Sequence, residues 1–150
     1  MSLKIAAASA AYLDDWAEMR AALWPELSVE SHRSDIAKLF LEPNPRCVAF
    51  IALSEAGAPV GFAEASLRHD FVNGCETSPV LFLEGIYVQP AARDKGVGAS
   101  LCEAVASWGR SAGCSEFASD AYIDDAGSHA FHRSLGFQET ERVIYFRKLL

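Results

Sequence analysis

The fold is decided by residues 80–98, which read VLFLEGIYVQPAARDKGVG. Val80–Val88 is the most apolar stretch of the chain and is typical of a central strand with both faces covered. Pro90 closes this strand, and Gly96–Ala112 has the spacing of a long amphipathic helix. A buried strand that leads through a glycine-containing loop into a helix predicts a βαβ unit with locally parallel strands.

The remaining elements alternate around this centre. The chain is predicted to begin with a strand, followed by a helix that Ser9 caps and Pro25 ends, and by a second helix. The predicted ranges are strands at Leu3–Ala7, Cys47–Leu53, Val60–Leu67, Glu116–Asp120 and Arg142–Lys148, and further helices at Ser34–Leu41 and Asp125–Leu135. We therefore expect an α/β chain with a central mixed β-sheet, a hairpin at Cys47–Leu67, and helices on both faces.

Composition limits the class of protein. The 150 residues are 51% hydrophobic and 22% charged, which predicts a single domain spanning residues 1–150. The apolar runs are too short to cross a membrane, and the first residues lack a signal-peptide pattern, so a cytoplasmic location is expected. The four cysteines form no CxxC pair, which favours free thiols and no metal site.

The net charge of −7 argues against nucleic acid as a partner, because nucleic-acid-binding domains usually carry a basic excess. An acidic cleft would attract a polycationic substrate, although the same charge also serves solubility alone.

The loop at residues 93–98 is a candidate anion site. Gly96 and Gly98 let the backbone approach a ligand, the first helical amides lack internal partners, and Arg93 and Lys95 add positive charge. These features suit a pyrophosphate. A helix entry that needs a positive φ is the plainer alternative, and a dinucleotide fingerprint is disfavoured because its third glycine is replaced by Leu101.

Residues 81–98 resemble the acetyl-coenzyme A motif of the GCN5-related N-acetyltransferases (GNAT), whose signature is [QR]xxGx[GA] after a central strand. Leu135-Gly136-Phe137 resembles the end of that family's last helix. The resemblance implies the GNAT acyl-CoA N-acyltransferase fold and acetyl-CoA as co-substrate. It assigns the pantetheine arm to the amides of Ile86, Tyr87 and Val88. It assigns the pyrophosphate to the loop formed by Arg93, Asp94, Lys95, Gly96, Val97 and Gly98.

Six further blocks resemble the type I aminoglycoside 6'-N-acetyltransferases within that family. They are Leu23–Pro25, Arg68–Gly74, Ser78-Pro79, Phe82–Gly85, Ala118–Asp120 and Gly136–Glu141. This resemblance implies transfer of an acetyl group from acetyl-CoA to the 6'-amino group of aminoglycoside antibiotics, which gives resistance, and a homodimer. It also gives the acidic charge a purpose, because these acceptors are polycations.

The chemistry of amine acetylation directs attention to carboxylates. An amine is mostly protonated at neutral pH, and a nearby carboxylate can orient it and accept its proton. We predict that Glu84, on the central strand, performs this role and that Asp120, after the next strand, binds ammonium groups of the substrate, with base work as its second candidate role. A salt-bridged strand residue is the alternative for Glu84, and a helix cap is the alternative for Asp120.

Release of the thiolate calls for a proton donor. Many family members place a tyrosine where this chain has His132, so we predict His132 in that role, with Tyr145 as a weaker candidate and a merely structural histidine as the alternative. Trp24 and Phe71 are predicted to border the substrate, and Glu139 to add negative potential there.

Two other functions stay open. The same fold could acetylate another amine, such as a polyamine or a protein N-terminus, or the domain could be a sensor that binds acetyl-CoA without turnover.

Overall fold

A central five-stranded sheet organises the chain, as a computed structural model covering residues 3–150 shows. The strands are β1 (Lys4–Ala7), β2 (Cys47–Leu53), β3 (Pro59–Arg68), β4 (Val80–Val88) and β5 (Phe117–Ala118), paired in that order. The α-helices are α1 (Leu13–Leu23), α2 (Val29–Ile36), α3 (Val97–Ser111) and α4 (Ala126–Ser134). The first four strands are antiparallel, and β5 runs parallel to β4, so the predicted mixed α/β sheet and its hairpin are confirmed.

Helices cover both faces of the sheet, because side chains alternate along each strand. On β2, Ile51 and Leu53 pack with α1 and α2, whereas Ala52 packs with α3. One core cluster forms around Trp16 of α1, and the other forms around Leu101 of α3. No helix within residues 3–150 is long and apolar enough to cross a membrane.

A bulge interrupts β4 beside its antiparallel partner. Ala65 pairs with Leu83 and Glu64 with Gly85, which leaves Glu84 without an opposite residue. The extra residue reverses the alternation, so that Leu83 before the bulge and Val88 after it pack in the same core cluster.

The second helix begins earlier than predicted. Its predicted range, Ser34–Leu41, starts too late, because Ser28 caps α2 through a 3.1 Å bond from the Ser31 amide to its Oγ. The residues of Val29–Ile36 are mostly polar, and His32 completes the buried face of the helix. The sequence therefore shows no apolar periodicity there. The chain then continues as a π-helical turn at Ala37–Leu41.

The predicted final strand, Arg142–Lys148, is wrong for this chain. No strand of the described sheet pairs with it, and its hydrophobic side chains are largely exposed, including Ile144 at 80% and Phe146 at 91%. A strand exists only where backbone groups find a partner, and the sequence pattern does not reveal whether one is present. The predicted Glu116–Asp120 strand is likewise shortened to β5.

The α3–β4 contact gives a stability test. A Cβ atom at Gly109 would lie 2.5 Å from a methyl carbon of the buried Leu81, whereas at Gly127 the nearest atom is 3.7 Å away. Alanine is normally favoured over glycine in a helix by about 1 kcal/mol. We therefore expect Gly109→Ala to lower the free energy of unfolding by about 1–3 kcal/mol through overpacking. Gly127→Ala should leave it unchanged or raise it. Urea denaturation measures both, and a stabilised Gly109→Ala protein would contradict the packing.

Candidate active site

The site begins where β4 and β5 separate. The two strands pair only at Leu81 and Phe82, so the β5-facing edge of β4 has no strand beside it from Leu83 onward. Gln89 donates its amide to Val60 of β3 at 2.8 Å. Because backbone groups alternate along a strand, the amides of Ile86 and Val88 point to the separated edge and that of Tyr87 points to β3. Of the three predicted strand amides, two therefore face the opening.

The loop after β4 has two residues in the left-handed conformation, one on each side of Lys95. Asp94 has a φ of 62° and Gly96 a φ of 81°. Backbone turns of this kind can direct their amides toward an anion. Gly96 is also the N-cap of α3, so the amides of the first helical turn lie next to this loop. The loop therefore has the form of an anion-binding concavity.

Arg93 joins the loop to the free edge of β4. Its Nε donates to the Val88 carbonyl oxygen at 2.8 Å, and its guanidinium carbon lies 5.5 Å from the centre of the Tyr87 ring. Lys95 Nζ donates to the Ala91 carbonyl oxygen at 3.2 Å. The cations predicted for the pyrophosphate are therefore held at the end of the opened strand.

A pocket of about 460 Å³ lies beside the bulge. Trp24, Glu26 and Glu84 line it, together with residues of β3 and of the α2 region. The far end of the Trp24 ring packs on Gly85, where a Cβ atom would lie 2.4 Å from Trp24 Cη2. The only residue type that fits between this ring and the strand is glycine.

Glu84 lines the pocket and is also salt-bridged. Arg68 Nη2 donates to both carboxylate oxygens at 3.0 Å, and the Ser66 hydroxyl donates to Oε1 at 2.5 Å. The Glu84 side chain keeps 36% of its surface exposed, so a ligand can still reach it. Glu84 is thus the salt-bridged strand residue of the alternative prediction. It is also exposed to the pocket, as its predicted catalytic role requires.

Asp120 and His132 come together at the carboxyl end of β5. The His132 Nδ1 lies 2.7 Å from the Ser128 carbonyl oxygen and must donate to it. In the neutral ring, Nε2 then accepts from the Ser119 hydroxyl at 2.7 Å, one residue before Asp120. Phe82 of β4 pairs with Ala118 of β5. Asp120 lies two residues after Ala118, as Glu84 lies two residues after Phe82. Asp120 is exposed, and the residue that caps α4 is Asp125, through the Ser128 amide.

Three predicted substrate contacts, Phe71, Asp120 and Glu139, lie outside the pocket lining. Phe71 is 79% exposed in the loop before β4. Glu139 accepts a 2.5 Å hydrogen bond from Arg142 Nε, which holds the pKa of its carboxyl below the usual range. Tyr145, the weaker candidate donor, is 82% exposed near the end of the chain.

Three buried polar residues of the pocket lining, Arg20, His32 and Glu64, were not predicted from the sequence. A signal for one of them was present. Glu64 lies two residues after Phe62 on β3 and so shares its inward face, which predicts a buried carboxylate in need of a cation. Within residues 3–150, no group of three or more metal-ligating side chains converges.

An opened strand edge that leads into an anion-binding helix terminus, beside a pocket with a carboxylate, defines the acyl-coenzyme A-dependent transferases of the predicted fold. The family model described as the acetyltransferase (GNAT) family matches residues 12–137, and the chain belongs to this family.

Particular relatives narrow the comparison. A protein from Serratia marcescens named aminoglycoside N(6')-acetyltransferase type 1 is 49% identical over 92% of this chain and 93% of its own length. A protein of the same name from Acinetobacter haemolyticus is 48% identical over 97% and 98%, respectively. The resemblance predicted from the six sequence blocks is confirmed.

Solved structures agree with these relatives. AAC(6')-Iy in complex with the bisubstrate analogue CoA-S-monomethyl-acetylneamine superposes with a TM-score of 0.92 at 42% identity, with all of both chains covered. The aminoglycoside 6'-N-acetyltransferase AAC(6')-Ih from Acinetobacter baumannii gives a TM-score of 0.94 at 39% identity, over 99% of each chain.

Proposed function

We propose that this protein transfers the acetyl group of acetyl-CoA to the 6'-amino group of aminoglycoside antibiotics by direct attack, and thereby gives resistance. The observation that carries the proposal is the opened edge of β4, which ends at the α3 N-terminus and adjoins a pocket containing Glu84. The relatives named for this activity, and the bisubstrate complex of AAC(6')-Iy, support it. Acetylation removes a positive charge from the antibiotic.

Acetyl-CoA lies along the opened strand in this proposal. The amides of Ile86 and Val88 hold the pantetheine arm and the thioester, and Tyr87 supports them through β3. The backbone of residues 94–98 and the Arg93 and Lys95 side chains bind the pyrophosphate, because inward amides and cations stabilise an anion.

Glu84 accepts the proton of the acceptor ammonium in the proposed reaction, directly or through a water molecule. The amine nitrogen then attacks the thioester carbon, a C–N bond forms, and a strand amide stabilises the oxyanion. The C–S bond breaks as the nitrogen loses its remaining extra proton to solvent. The thiolate takes a proton from the Ser119 hydroxyl, which is replaced by the Nε2 proton of the imidazolium form of His132. No covalent acetyl-enzyme forms.

Asp120 binds a second ammonium of the acceptor in this proposal. Its exposed carboxylate follows β5, and a carboxylate–ammonium hydrogen bond is stronger than one between neutral groups. Trp24 forms a wall of the acceptor pocket, and Phe71 and Glu139 border its outer approach. The cytoplasmic location stays a prediction from the sequence.

The acceptor group can be tested with two matched aminoglycosides, one with a 6'-amine and one with a 6'-hydroxyl. We expect thiol release from acetyl-CoA with the amine only, because a hydroxyl is a far weaker nucleophile. Release with neither would refute the proposal and direct the search to polyamines, peptide amines or a sensor role. Coenzyme binding without release would mark the sensor.

The two carboxylates should differ in what they control. Asp120→Asn should raise the KM of the aminoglycoside about 10- to 100-fold, from the loss of about 1.5–3 kcal/mol of charged hydrogen bonding. Glu84→Gln should lower kcat about 100-fold or more, because general base catalysis is lost. Both should leave the affinity for CoA unchanged in calorimetry. Glu103→Gln, an exposed carboxylate paired with Arg110 on α3, is the matched control. Equal loss of both affinities in Asp120→Asn would contradict the assignment.

We further propose a homodimer that uses the C-terminal arm, residues 143–150. The arm exposes Val143, Ile144, Tyr145, Phe146, Leu149 and Leu150 by 44% or more each. Its β-branched and aromatic residues favour a strand. The outer edge of β5 has no strand partner within residues 3–150. Reciprocal addition of each arm to a second copy would satisfy both and give a two-fold dimer.

The arm can be tested by molar mass in solution. We expect the unaltered protein to be a dimer in light scattering coupled to size exclusion. Ile144→Asp combined with Phe146→Asp should yield monomers, because charges would enter the buried strand. Leu39→Asp, at a hydrophobic residue 41% exposed outside the arm, should remain dimeric. A monomeric unaltered protein, or dimers that persist in the double variant, would refute this arrangement.

A further inference from the structure

Three polar side chains lie in the core beneath the acceptor pocket without a part in the proposed chemistry. Arg20 of α1 is 6% exposed, His32 of α2 is 0% exposed and Glu64 of β3 is 2% exposed. We refer to these three residues as the buried cluster. A buried ion pair is often no more stabilising than apolar residues of similar volume, so stability alone does not account for it.

The hydrogen bonds of the buried cluster start from Arg20, which donates to both of its neighbours. Arg20 can only donate, and its Nη1 lies 2.6 and 2.7 Å from the two oxygens of Glu64. Its Nε lies 3.2 Å from His32 Nδ1, which must therefore accept. The other ring nitrogen, Nε2, then carries the hydrogen and donates to the Trp24 carbonyl oxygen at 3.0 Å. The tautomer of His32 is thus set by Arg20, and it fixes the backbone of Trp24.

The carboxylate end of the buried cluster is satisfied as well. Trp16 Nε1 donates to Glu64 Oε1 at 2.9 Å. Burial raises the pKa of Glu64, and the charge and hydrogen bonds of Arg20 oppose that shift. No buried side-chain nitrogen or oxygen is left unpaired within residues 3–150. If Arg20 turned away, Glu64 and His32 would lose their hydrogen-bond partner in the core.

The Trp24 ring is held by the same residues. The Arg20 guanidinium carbon lies 4.9 Å from the ring centroid, and the His32 ring stacks at 6.2 Å with 29° between the planes. The opposite end of the indole packs on Gly85, next to Glu84 in the bulge. Trp24 is therefore fixed at its carbonyl, on its face and at its far edge.

We infer that the buried cluster is a positioning device for Trp24, and that it sets the affinity for the amine acceptor by fixing this wall of the pocket beside Gly85. His32 and Glu64 belong to the pocket lining but are only 0% and 2% exposed, so we expect them to act through Trp24 rather than by direct contact with a ligand. The inference rests on the proposed function for the identity of the acceptor. It concerns the acceptor side of the site, because Trp24 and Glu84 line the acceptor pocket and the loop of residues 93–98 does not.

The first test replaces His32. His32→Phe keeps a ring for stacking but removes both hydrogen bonds. The KM of the aminoglycoside should rise about 10-fold, which corresponds to about 1.4 kcal/mol of binding free energy. The KM of acetyl-CoA should not change. His32→Gln retains an acceptor and a donor and should recover most of the loss. Ile36→Val, a core change on the same helix, should lower stability without moving either KM.

The second test asks whether the effect passes through Trp24. In a Trp24→Leu protein, adding His32→Phe should change the KM of the acceptor by less than about 2-fold, because the residue being positioned is gone. Full additivity of the two substitutions would overturn the inference.

A third variant guards against misfolding. Arg20→Met combined with Glu64→Leu removes both charges at once and should destabilise the protein less than either single substitution, because no unpaired charge stays in the core, although Trp16 Nε1 loses its acceptor. It should still raise the KM of the acceptor, since His32 loses the donor that sets its tautomer. A folded double variant with an unchanged KM would show that the cluster is only structural.

A readout without turnover keeps the two proposals apart. With 5-fluorotryptophan incorporated, Trp16, Trp24 and Trp108 give three fluorine signals, which single Trp→Phe variants assign. His32→Phe should shift or broaden the Trp24 signal and leave the Trp108 signal in place. If the unaltered protein acetylates no aminoglycoside but this shift occurs, the proposed function fails and the positioning stands. An unmoved Trp24 signal would overturn the positioning whatever the substrate.

Discussion

The separation of β4 from β5 after Phe82 is the constraint on which the rest of this structure depends. The ladder stops after two residue pairs because β5 ends at Ala118, while β4 continues for six more residues without a strand on that side. The bulge at Glu84 contributes as well, because the extra residue changes which backbone amides of β4 face the open edge. Strand edges are usually covered, so an open edge inside the fold marks a place for a ligand.

Charge in this molecule is handled differently on the two sides of the bulge. Glu64 is buried and fully paired, and its role is confined to the protein interior. Glu84, in the adjacent strand, is paired with Arg68 yet remains accessible from the pocket. Two carboxylates on neighbouring strands thus have different environments, which follow from burial rather than from residue type. Gly85, which is next to Glu84 and opposite Glu64, leaves room for the Trp24 ring at the same bulge.

Much of the fold could be predicted from the sequence, because the periodicity of Val80–Val88 and of the α3 helix is strong and the loop between them is distinctive. The order of all elements through α4 follows from such patterns. The bulge itself could not be predicted, since it depends on a register with β3 that no local pattern encodes. The start of α2 was missed because buried His32 reads as polar. The Arg142–Lys148 strand was predicted from propensity, although this segment pairs with no strand of the described sheet. The site was predicted best where it is backbone, at residues 86–98, and least where tertiary contacts bring Arg20, His32 and Glu64 together.

The central claim is that the opened edge of β4 binds the coenzyme through alternate amides, and residue-resolved hydrogen exchange tests it most directly. The exchange of the Ile86 and Val88 amides should slow strongly when CoA is added, because they gain partners on the open side. The Tyr87 amide already faces β3 and should keep its rate relative to the rest of the sheet. Unchanged exchange at both Ile86 and Val88 under saturating CoA would contradict the account.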